Sequence, residues 1–203
     1  MSKLKVYGYA RSRAVRTLWM LEELGLPYDQ IDLSFQDGTT RSPDYLKINP
    51  AGHIPAIDDA GFKLSESMAI NLYLAKKHGK LYPADPHAEA KAWQWSFWVM
   101  HELDKPIVLW IVNSVILPVE QRNAKLALQS REDMEWSLQV LDGVLAKQQF
   151  LADPNAFTVA DLNVASVLYR LLFADLTDKP KLNAWLKTCW ERPAAMRARA
   201  MRE

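Results

Sequence analysis

Apolar and polar positions change their spacing part-way along the chain. Over the first part, short β-prone runs alternate with segments of helical periodicity. The predicted strands are residues 4–9, 28–33, 54–58 and 62–64, and the predicted helices are residues 14–24, 43–48 and 68–78. This order, β-α-β-α-β-β-α, is typical of an α/β domain with a small sheet of about four strands. The first β-α-β unit predicts parallel strands, and the closing hairpin makes the sheet mixed.

A proline-rich stretch at residues 81–86, LYPADP, separates this pattern from a different one. Beyond it only helical periodicity remains, with Pro106 as a predicted kink. The predicted helical segments are residues 87–117, 119–146, 157–172 and 182–191, followed by a charged tail at 197–203. We therefore predict an α/β domain at 1–79, a linker at 80–87 and an all-helical bundle domain at 88–203.

Thr158 and Asp161 open the segment 157–172 with a capping box. In this motif a hydroxyl and a carboxylate three residues later each accept a backbone N–H that the helix leaves free. The segment is apolar on most sides, so we expect it to lie centrally in the helical domain. We assign the pair a structural role.

Composition limits the partners that the chain could have. Of its 203 residues 49% are apolar, and the formal net charge is +1. This balance argues against a nucleic-acid partner, which needs a basic face, and gives no sign of membrane-surface binding. No apolar run approaches the roughly 20 residues that a membrane-spanning helix needs.

Cys189 is the only cysteine in the sequence, so an intramolecular disulfide is impossible. This fits a reducing compartment, and the first residues carry no apolar signal segment. We therefore expect a cytoplasmic protein. No set of His, Cys, Asp and Glu residues has the spacing of metal ligands, and we predict no metal.

Two neighbouring segments suit a small peptide with an acidic end. Pro55 has no backbone N–H, which places Ile54-Pro55 at the start of a strand or at a cis bond in a sharp turn. Either placement exposes the main-chain N–H and C=O of Ile54 to an extended peptide ligand. About ten residues on, Glu66 and Ser67 open a helix whose free N–H groups suit a carboxylate. Taken singly, a strand-edge proline and an N-cap serine would explain the same residues.

With these motifs the chain resembles the cytosolic glutathione S-transferase family over essentially its whole length. The resemblance is carried by Asn49-Pro50, Gly52-His53-Ile54-Pro55, Glu66-Ser67, Thr158 and Asp161. It implies a thioredoxin-like first domain with a mixed four-stranded sheet, a helical second domain, and glutathione as co-substrate. It also implies a cis bond before Pro55, with the Ile54 main chain on the cysteinyl part of glutathione. Glu66 and Ser67 would then hold the γ-glutamyl end, and His53 and Arg41 would lie near the glycyl end.

The turn after the first strand is where a group that activates the glutathione thiol would lie. A cysteine thiol has a pKa of about 8.5, and lowering it by about two units needs roughly 2.7 kcal/mol. One hydrogen bond to a charged group nearly supplies this. Ser12 resembles the catalytic serine of serine-type, bacterial-like transferases, although the proline-serine pairing common in that group is missing. Tyr9 and main-chain donors are the alternatives, and Ser12 could also serve as an N-cap.

A stripe of side chains in the helical domain is the candidate for the second-substrate pocket. Its members recur mostly at three- and four-residue spacing. They are Trp93, Phe97, Met100, His101, Asp104 and Trp110. Core packing would explain any one of the aromatic residues equally well. A second stripe with Trp95 and Val99 makes the helix apolar on two faces, which is compatible with the homodimer usual in the family.

The sequence therefore predicts a glutathione S-transferase that adds the glutathione thiolate to a small hydrophobic electrophile, as in detoxification. The first alternative is a glutathione-dependent reductase or dehalogenase of the same fold. The second is a non-catalytic binding protein that resembles the transferases. No cysteine lies near Ser12, which disfavours the thiol-disulfide exchange of cysteine-type relatives.

Overall fold

The structure, a computed structural model, describes residues 3–202, so residues 1, 2 and 203 of the predicted domains and tail lie outside it. Its strands are β1 (Leu4–Tyr7), β2 (Tyr28–Ile31), β3 (Ala56–Asp59) and β4 (Phe62–Ser65). They form one four-stranded sheet in the order β2-β1-β3-β4. β1 runs parallel to β2 and antiparallel to β3, and β3 runs antiparallel to β4. The mixed four-stranded sheet is therefore confirmed.

Helices alternate with the strands up to His78, and the described chain beyond it continues with helices. The α-helices are α1 (Ala14–Leu24), α2 (Pro43–Leu46), α3 (Ser67–His78), α4 (Pro86–Val99), α5 (Lys105–Ile111), α6 (Ala124–Leu145), α7 (Val159–Val167), α8 (Pro180–Trp190) and α9 (Pro193–Ala200). The chain forms two compact units. One contains the chain up to Tyr82 and the segment from Glu191 onward, and the other contains Pro83–Trp190.

β1 is two residues shorter than the sequence pattern predicted, because Gly8 leaves the extended conformation with a φ of +130°. A Cβ atom built at Gly8 would lie 2.9 Å from Cβ of Ala14 and 3.2 Å from Cβ of Ile54. Only a glycine allows the backbone to pass this close to both residues. Gly8 therefore brings the start of α1 and the Ile54-Pro55 turn to the same end of the sheet.

The predicted helix over residues 87–117 contains two wide π-helical segments, Met100–Asp104 and Val112–Ile116. The prediction placed a kink at Pro106, but the first wide turn comes before it, and Pro106 lies at the start of α5. Proline cannot donate a backbone hydrogen bond and its ring clashes with the carbonyl four residues earlier. The wide turn accommodates this without ending the helical path.

The helix predicted over residues 119–146 begins later than expected. Val119–Gln121 forms a short 3-10 turn, and α6 starts at Ala124. The Asn123 side chain accepts a hydrogen bond from the backbone N–H of Leu126 at 3.0 Å. Asparagine is among the preferred N-cap residues, so Asn123 was the sequence signal for this boundary.

The capping box at the start of α7 is confirmed. The backbone N–H of Thr158 donates to Oδ2 of Asp161 at 3.0 Å, and the Thr158 hydroxyl accepts from the N–H of Ala160 at 3.2 Å. Every residue of α7 is buried, which places this helix in the core of the second unit. Oδ1 of Asp161 also accepts from the N–H of Leu151 and from the indole N–H of Trp185. One carboxylate thus connects the start of α7, the segment before it and α8.

Burial raises the pKa of the Asp161 carboxyl from 3.8 to about 6, although its hydrogen bonds act in the opposite direction. Because the folded pKa is raised, the contribution of this group to stability is full below about pH 4 and is lost as the pH rises through about 6. The shift corresponds to roughly 3 kcal/mol. We expect the free energy of unfolding, measured in urea, to fall by about this amount relative to Asp161→Asn between about pH 4 and pH 7. A difference that stays constant with pH would contradict this assignment.

The segment from Glu191 onward belongs to the first unit. The sequence pattern assigned it to the helical domain and part of it to a charged tail, so that assignment is corrected here. Pro193 starts a new helix here, as proline does at a first helical position, and this helix is α9. α9 packs on α1 through small buried side chains. They are Ala194, Ala195 and Ala198. Arg192 and Arg197 of the same segment form ion pairs with Glu23 and Glu22 of α1, so the composition that resembled a charged tail belongs to a packed segment.

Between residues 3 and 202 no helix combines the length and the apolar character that crossing a membrane requires. In the same range no three His, Cys, Asp or Glu side chains come together as a metal site would require.

Candidate active site at one end of the sheet

Three chain segments that the sequence singled out meet at one end of the sheet. In the ladder, Ala56 pairs with Tyr7 of β1 on one side and with Ser65 of β4 on the other. Ile54-Pro55 therefore enters the sheet where β1 leaves it and where β4 leads into Glu66. The turn that carries Ser12 also starts from this end of β1.

The Ile54-Pro55 bond is cis, as the family resemblance implied, and both residues are buried. The carbonyl of His53 accepts hydrogen bonds from the Tyr45 hydroxyl at 2.6 Å and from the Asn49 side-chain amide at 2.7 Å. This carbonyl belongs to the same planar peptide group as the Ile54 N–H, so both bonds fix the direction of that N–H. Among residues 3–202, none donates to or accepts from the Ile54 main chain. Its N–H and C=O are available to a peptide ligand.

Glu66 and Ser67 lie at the junction of β4 and α3. Glu66 has a φ of +69° and a ψ of +111°, a backbone conformation that non-glycine residues rarely adopt. Its side chain is exposed, whereas Ser67, the first residue of α3, is 5% exposed. The first N–H groups of α3 and the Glu66 carboxylate thus offer donors and an acceptor side by side. An amino acid with free amine and carboxylate groups needs this combination. Rare backbone conformations of this kind concentrate at ligand sites.

Arg41 contacts the turn that leads into His53 and the Ile54-Pro55 bond. Nη1 of Arg41 donates to the carbonyl of Ala51 at 2.8 Å. Gly52 permits this contact, because a Cβ atom there would lie 2.5 Å from the same Nη1 and 2.8 Å from the carbonyl of Thr40. His53 is exposed immediately after this turn. The Arg41 guanidinium therefore lies against the backbone that leads directly into the exposed His53.

Ser12 lies in the turn between β1 and α1, half-buried. Its hydroxyl donates to the carbonyl of Tyr9 at 2.7 Å and accepts from the backbone N–H of Ala14 at 3.1 Å. The first turn of α1 contains no acidic residue, and Arg11 and Arg13 flank Ser12. The helix N-terminus and the two arginines make this turn electropositive, which favours a thiolate over a thiol.

Tyr9, the alternative to Ser12, is also half-buried but faces other groups. Its ring stacks on Phe35 with 6.1 Å between the ring centroids and packs against the cluster around Tyr45 and Ile54. It also lines a cavity of about 310 Å³ with residues of the loop after β2. They are Asp32, Leu33, Ser34, Gln36 and Asp37. The ring of Tyr9 thus contributes to packing at this end of the sheet, whereas Ser12 presents a hydroxyl beside a helix N-terminus.

The residues proposed for a second-substrate pocket lie in the second unit and differ in exposure. Trp93 and Phe97 of α4 are 46% and 66% exposed, and His101 is exposed on the π-helical segment. Met100 and Trp110 are half-buried, and Asp104 is buried. The stripe with Trp95, Val99 and Leu103 is buried. That second stripe forms core, while the first offers an exposed aromatic face.

Comparison with known proteins decides the family. The model described as glutathione S-transferase, N-terminal domain, matches residues 2–76, and the model for the C-terminal domain matches residues 92–193. The chain belongs to the glutathione S-transferase family. Its relatives include glutathione S-transferase 4 of Zea mays, 32% identical over 95% of this chain and 90% of that protein. GstB of Escherichia coli strain K12 is 31% identical over 94% of this chain and 95% of that protein.

Solved glutathione S-transferases share the fold. A theta-class enzyme from Xanthomonas axonopodis pv. citri, crystallised with glutathione bound, is 28% identical with a TM-score of 0.89, covering 98% of this chain and 97% of that one. The thioredoxin-like first domain and helical second domain are therefore confirmed. Whether this glutathione S-transferase is of the serine type stays a prediction.

Two residues that hold the site together were missing from the predicted set. Asn49 and Tyr45 fix the His53 carbonyl, and Asn49 also accepts from the N–H of Ala51 at 3.1 Å. Burial raises the pKa of Tyr45 to about 12, so its hydroxyl stays protonated and keeps donating. The Asn-Pro turn before Gly52 was visible in the sequence. The reach of the Asn49 side chain to a carbonyl four residues later required the folded turn.

Replacing Asn49 with alanine should weaken glutathione binding by about tenfold, because the His53–Ile54 peptide loses a buried hydrogen bond that fixes its direction. Isothermal titration calorimetry measures the change. Asn155→Ala, an exposed asparagine of the second unit, is the matched control and should bind as the wild type does. Equal affinity in Asn49→Ala and the wild type would show that this peptide does not contact the ligand.

Proposed function

We propose that this glutathione S-transferase holds glutathione at this end of its sheet, stabilises the thiolate through Ser12, and adds the sulfur to a small hydrophobic electrophile. The observation that carries the proposal is the Ile54 peptide. Its direction is fixed by two hydrogen bonds to the His53 carbonyl, and its own polar groups remain free for a ligand. A peptide main chain can pair with an exposed backbone N–H and C=O of this kind.

The three residues of glutathione would contact three different parts of this end of the sheet. Its cysteinyl N–H and C=O would pair with the main chain of Ile54. Its γ-glutamyl amine would meet the Glu66 carboxylate, and its α-carboxylate would meet Ser67 and the first N–H groups of α3. The glycyl carboxylate would lie toward Arg41 and His53. Each charged end of the tripeptide would then face a group of opposite charge or a hydrogen-bond donor.

The chemical step needs the thiolate of bound glutathione. The thiol proton would leave to solvent, and the Ser12 hydroxyl would turn from the Tyr9 carbonyl to donate a hydrogen bond to the sulfur. Such a bond to a charged acceptor contributes about 1.5–3 kcal/mol, which corresponds to roughly one to two pKa units. The sulfur lone pair then forms a C–S bond with an electrophilic carbon. With an aryl halide, the halide leaves with the electron pair of the broken carbon–halogen bond.

The exposed aromatic face of the second unit supports two parts of the proposal. Trp93 and Phe97 lie one helical turn apart on α4, so they form one apolar surface. We propose that half-buried members of the stripe, such as Met100 and Trp110, contribute to a hydrophobic electrophile pocket. We further propose that the chain forms a homodimer in which exposed aromatic residues are covered. A cytoplasmic location is part of the proposal, because a reducing compartment maintains the glutathione thiol.

Calorimetric titration with glutathione and with cysteinylglycine, which lacks the γ-glutamyl residue, tests the ligand. We expect glutathione to bind at least about tenfold more tightly, since two charged contacts are lost with the γ-glutamyl end. In parallel, turnover is measured with chlorodinitrobenzene as an aryl halide. Binding together with conjugation supports a transferase, and binding without conjugation supports a reductase, a dehalogenase or a binding protein. No preference for glutathione would contradict the proposed site.

A further inference from the structure

The helix α9 is fixed to α1 by ion pairs at two levels. Arg192 makes a bidentate pair with Glu23, with N–O distances of 2.6 and 2.8 Å, and the Glu23 side chain is 7% exposed. One and a half helical turns further on, Arg197 donates to Glu22 at 2.6 Å. Arg–carboxylate pairs with two parallel hydrogen bonds are geometrically specific. α9 therefore approaches α1 in one defined orientation.

Beyond α9 the chain reaches the turn that carries Ser12. Nη1 of Arg202 donates to the carbonyl of Ala10 at 2.8 Å and to the carbonyl of Ser12 at 3.3 Å. In return, Nε of Arg11 donates to the carbonyl of Arg202 at 2.7 Å. The two segments, about 190 residues apart in sequence, hold each other through hydrogen bonds in both directions. All of these residues belong to the first unit.

We propose that Arg202 is a positioning residue for thiolate formation, acting through the backbone of the Ser12 turn; this rests on the proposed function of Ser12. The guanidinium fixes the Ala10–Arg11 peptide group, one residue before the serine, and the Ser12–Arg13 peptide group directly after it. The hydroxyl can therefore rotate while the Cα atom keeps its place. Rotation is required, because the hydroxyl donates to the Tyr9 carbonyl in this structure and must leave it to reach a sulfur.

A charged donor on the Ser12 carbonyl has a second effect. That carbonyl belongs to the same peptide group as the N–H of Arg13, and a hydrogen bond to one end of a peptide strengthens donation from the other end. Arg202 thus increases the positive potential at the N-terminus of α1, where we place the sulfur. Both effects lower the thiol pKa and neither involves contact with glutathione. The affinity for glutathione should therefore change little.

The test compares Arg202→Gln with Arg197→Gln, which removes an ion pair of the preceding helix α9 without touching the Ser12 turn. For each protein we would measure kcat, KM for glutathione, the melting temperature and the thiol pKa of bound glutathione by ultraviolet absorbance. In Arg202→Gln we expect kcat to fall by about fivefold and the thiol pKa to rise by about half a unit, with KM within about twofold of the wild type. Arg197→Gln should keep both kcat and the thiol pKa. Arg202→Lys, which retains the charge and one donor, should recover at least part of the loss.

Arg202→Gln with the kcat and thiol pKa of the wild type would overturn the proposal. A loss of kcat that Arg197→Gln shares, together with an equal fall in melting temperature, would also overturn it, because anchoring of α9 would then be the whole effect. Failure of the proposed function gives a different result. In that case wild-type protein would show no thiolate of bound glutathione, and the proposal for Arg202 would fall with it.

Discussion

Ser12→Ala should bind glutathione about as tightly as the wild type and conjugate it between about tenfold and a hundredfold more slowly, since it lacks one hydrogen bond to the thiolate. The glutathione contacts proposed for Ile54, Glu66 and Ser67 do not involve the Ser12 hydroxyl. The loss should therefore appear in kcat, measured with saturating glutathione and chlorodinitrobenzene near neutral pH. It should shrink at alkaline pH, where the thiol ionises without assistance.

A matched control separates this effect from a structural one. The Ser12 hydroxyl also accepts the backbone N–H two residues on, and the Ser34 hydroxyl accepts that of Gln36 in the same way at 3.0 Å. Ser34→Ala should lose comparable local stability, of the order of 1 kcal/mol, and keep its turnover. If Ser12→Ala keeps full turnover and Tyr9→Phe loses it, the hydroxyl that activates the thiol is that of Tyr9.

Gly8→Ala should reduce the free energy of unfolding by about 3 kcal/mol and also abolish measurable glutathione binding, since backbone strain and a steric clash combine at this residue. The new methyl group would have to displace Cβ of Ala14 or Cβ of Ile54, neither of which can rotate away. These two residues mark the start of α1 and the cis-proline turn. A shift of either one moves a part of the proposed glutathione site.

Gly61→Ala is the control for strain alone. Gly61 has a φ of +97°, and a Cβ atom there would meet no atom within 4 Å. Urea unfolding should show a loss of only about 1–2 kcal/mol for this variant, and glutathione binding should be retained. Equal losses in the two variants would show that the close approach at Gly8 is not what shapes the site.

Much of the fold was predictable because its signals are local. The alternating runs predicted the four strands, and the pair Thr158 and Asp161 predicted the buried start of α7. The errors came where the signal is not local. β1 ends early because Gly8 must pass close to Ala14 and Ile54, and nothing around Gly8 in the sequence indicates those neighbours. Pro106 indicated a disturbance but not the wide turn by which the helix absorbs it.

The candidate site likewise combines residues that have a local sequence signal with residues that have none. Ile54-Pro55 and Glu66-Ser67 were recognisable because they combine a proline turn with a helix start in a familiar order. The residues that fix the Ile54 peptide were not recognisable. Tyr45 and Asn49 donate to the carbonyl of His53, which only folding brings within their reach. Arg202 is the extreme case, because its partners Ala10 and Ser12 lie at the opposite end of the sequence. A charged segment gives no sequence signal for such contacts.

The pKa of the thiol in bound glutathione reports directly on whether Ser12 stabilises the thiolate. Titration by ultraviolet absorbance of the thiolate, with wild-type protein and Ser12→Ala each saturated with glutathione, gives this value for both. We expect a pKa about two units below that of free glutathione in the wild type and a return of at least about one unit in Ser12→Ala. A bound thiol that titrates like the free one, or that titrates identically in the two proteins, would contradict this expectation.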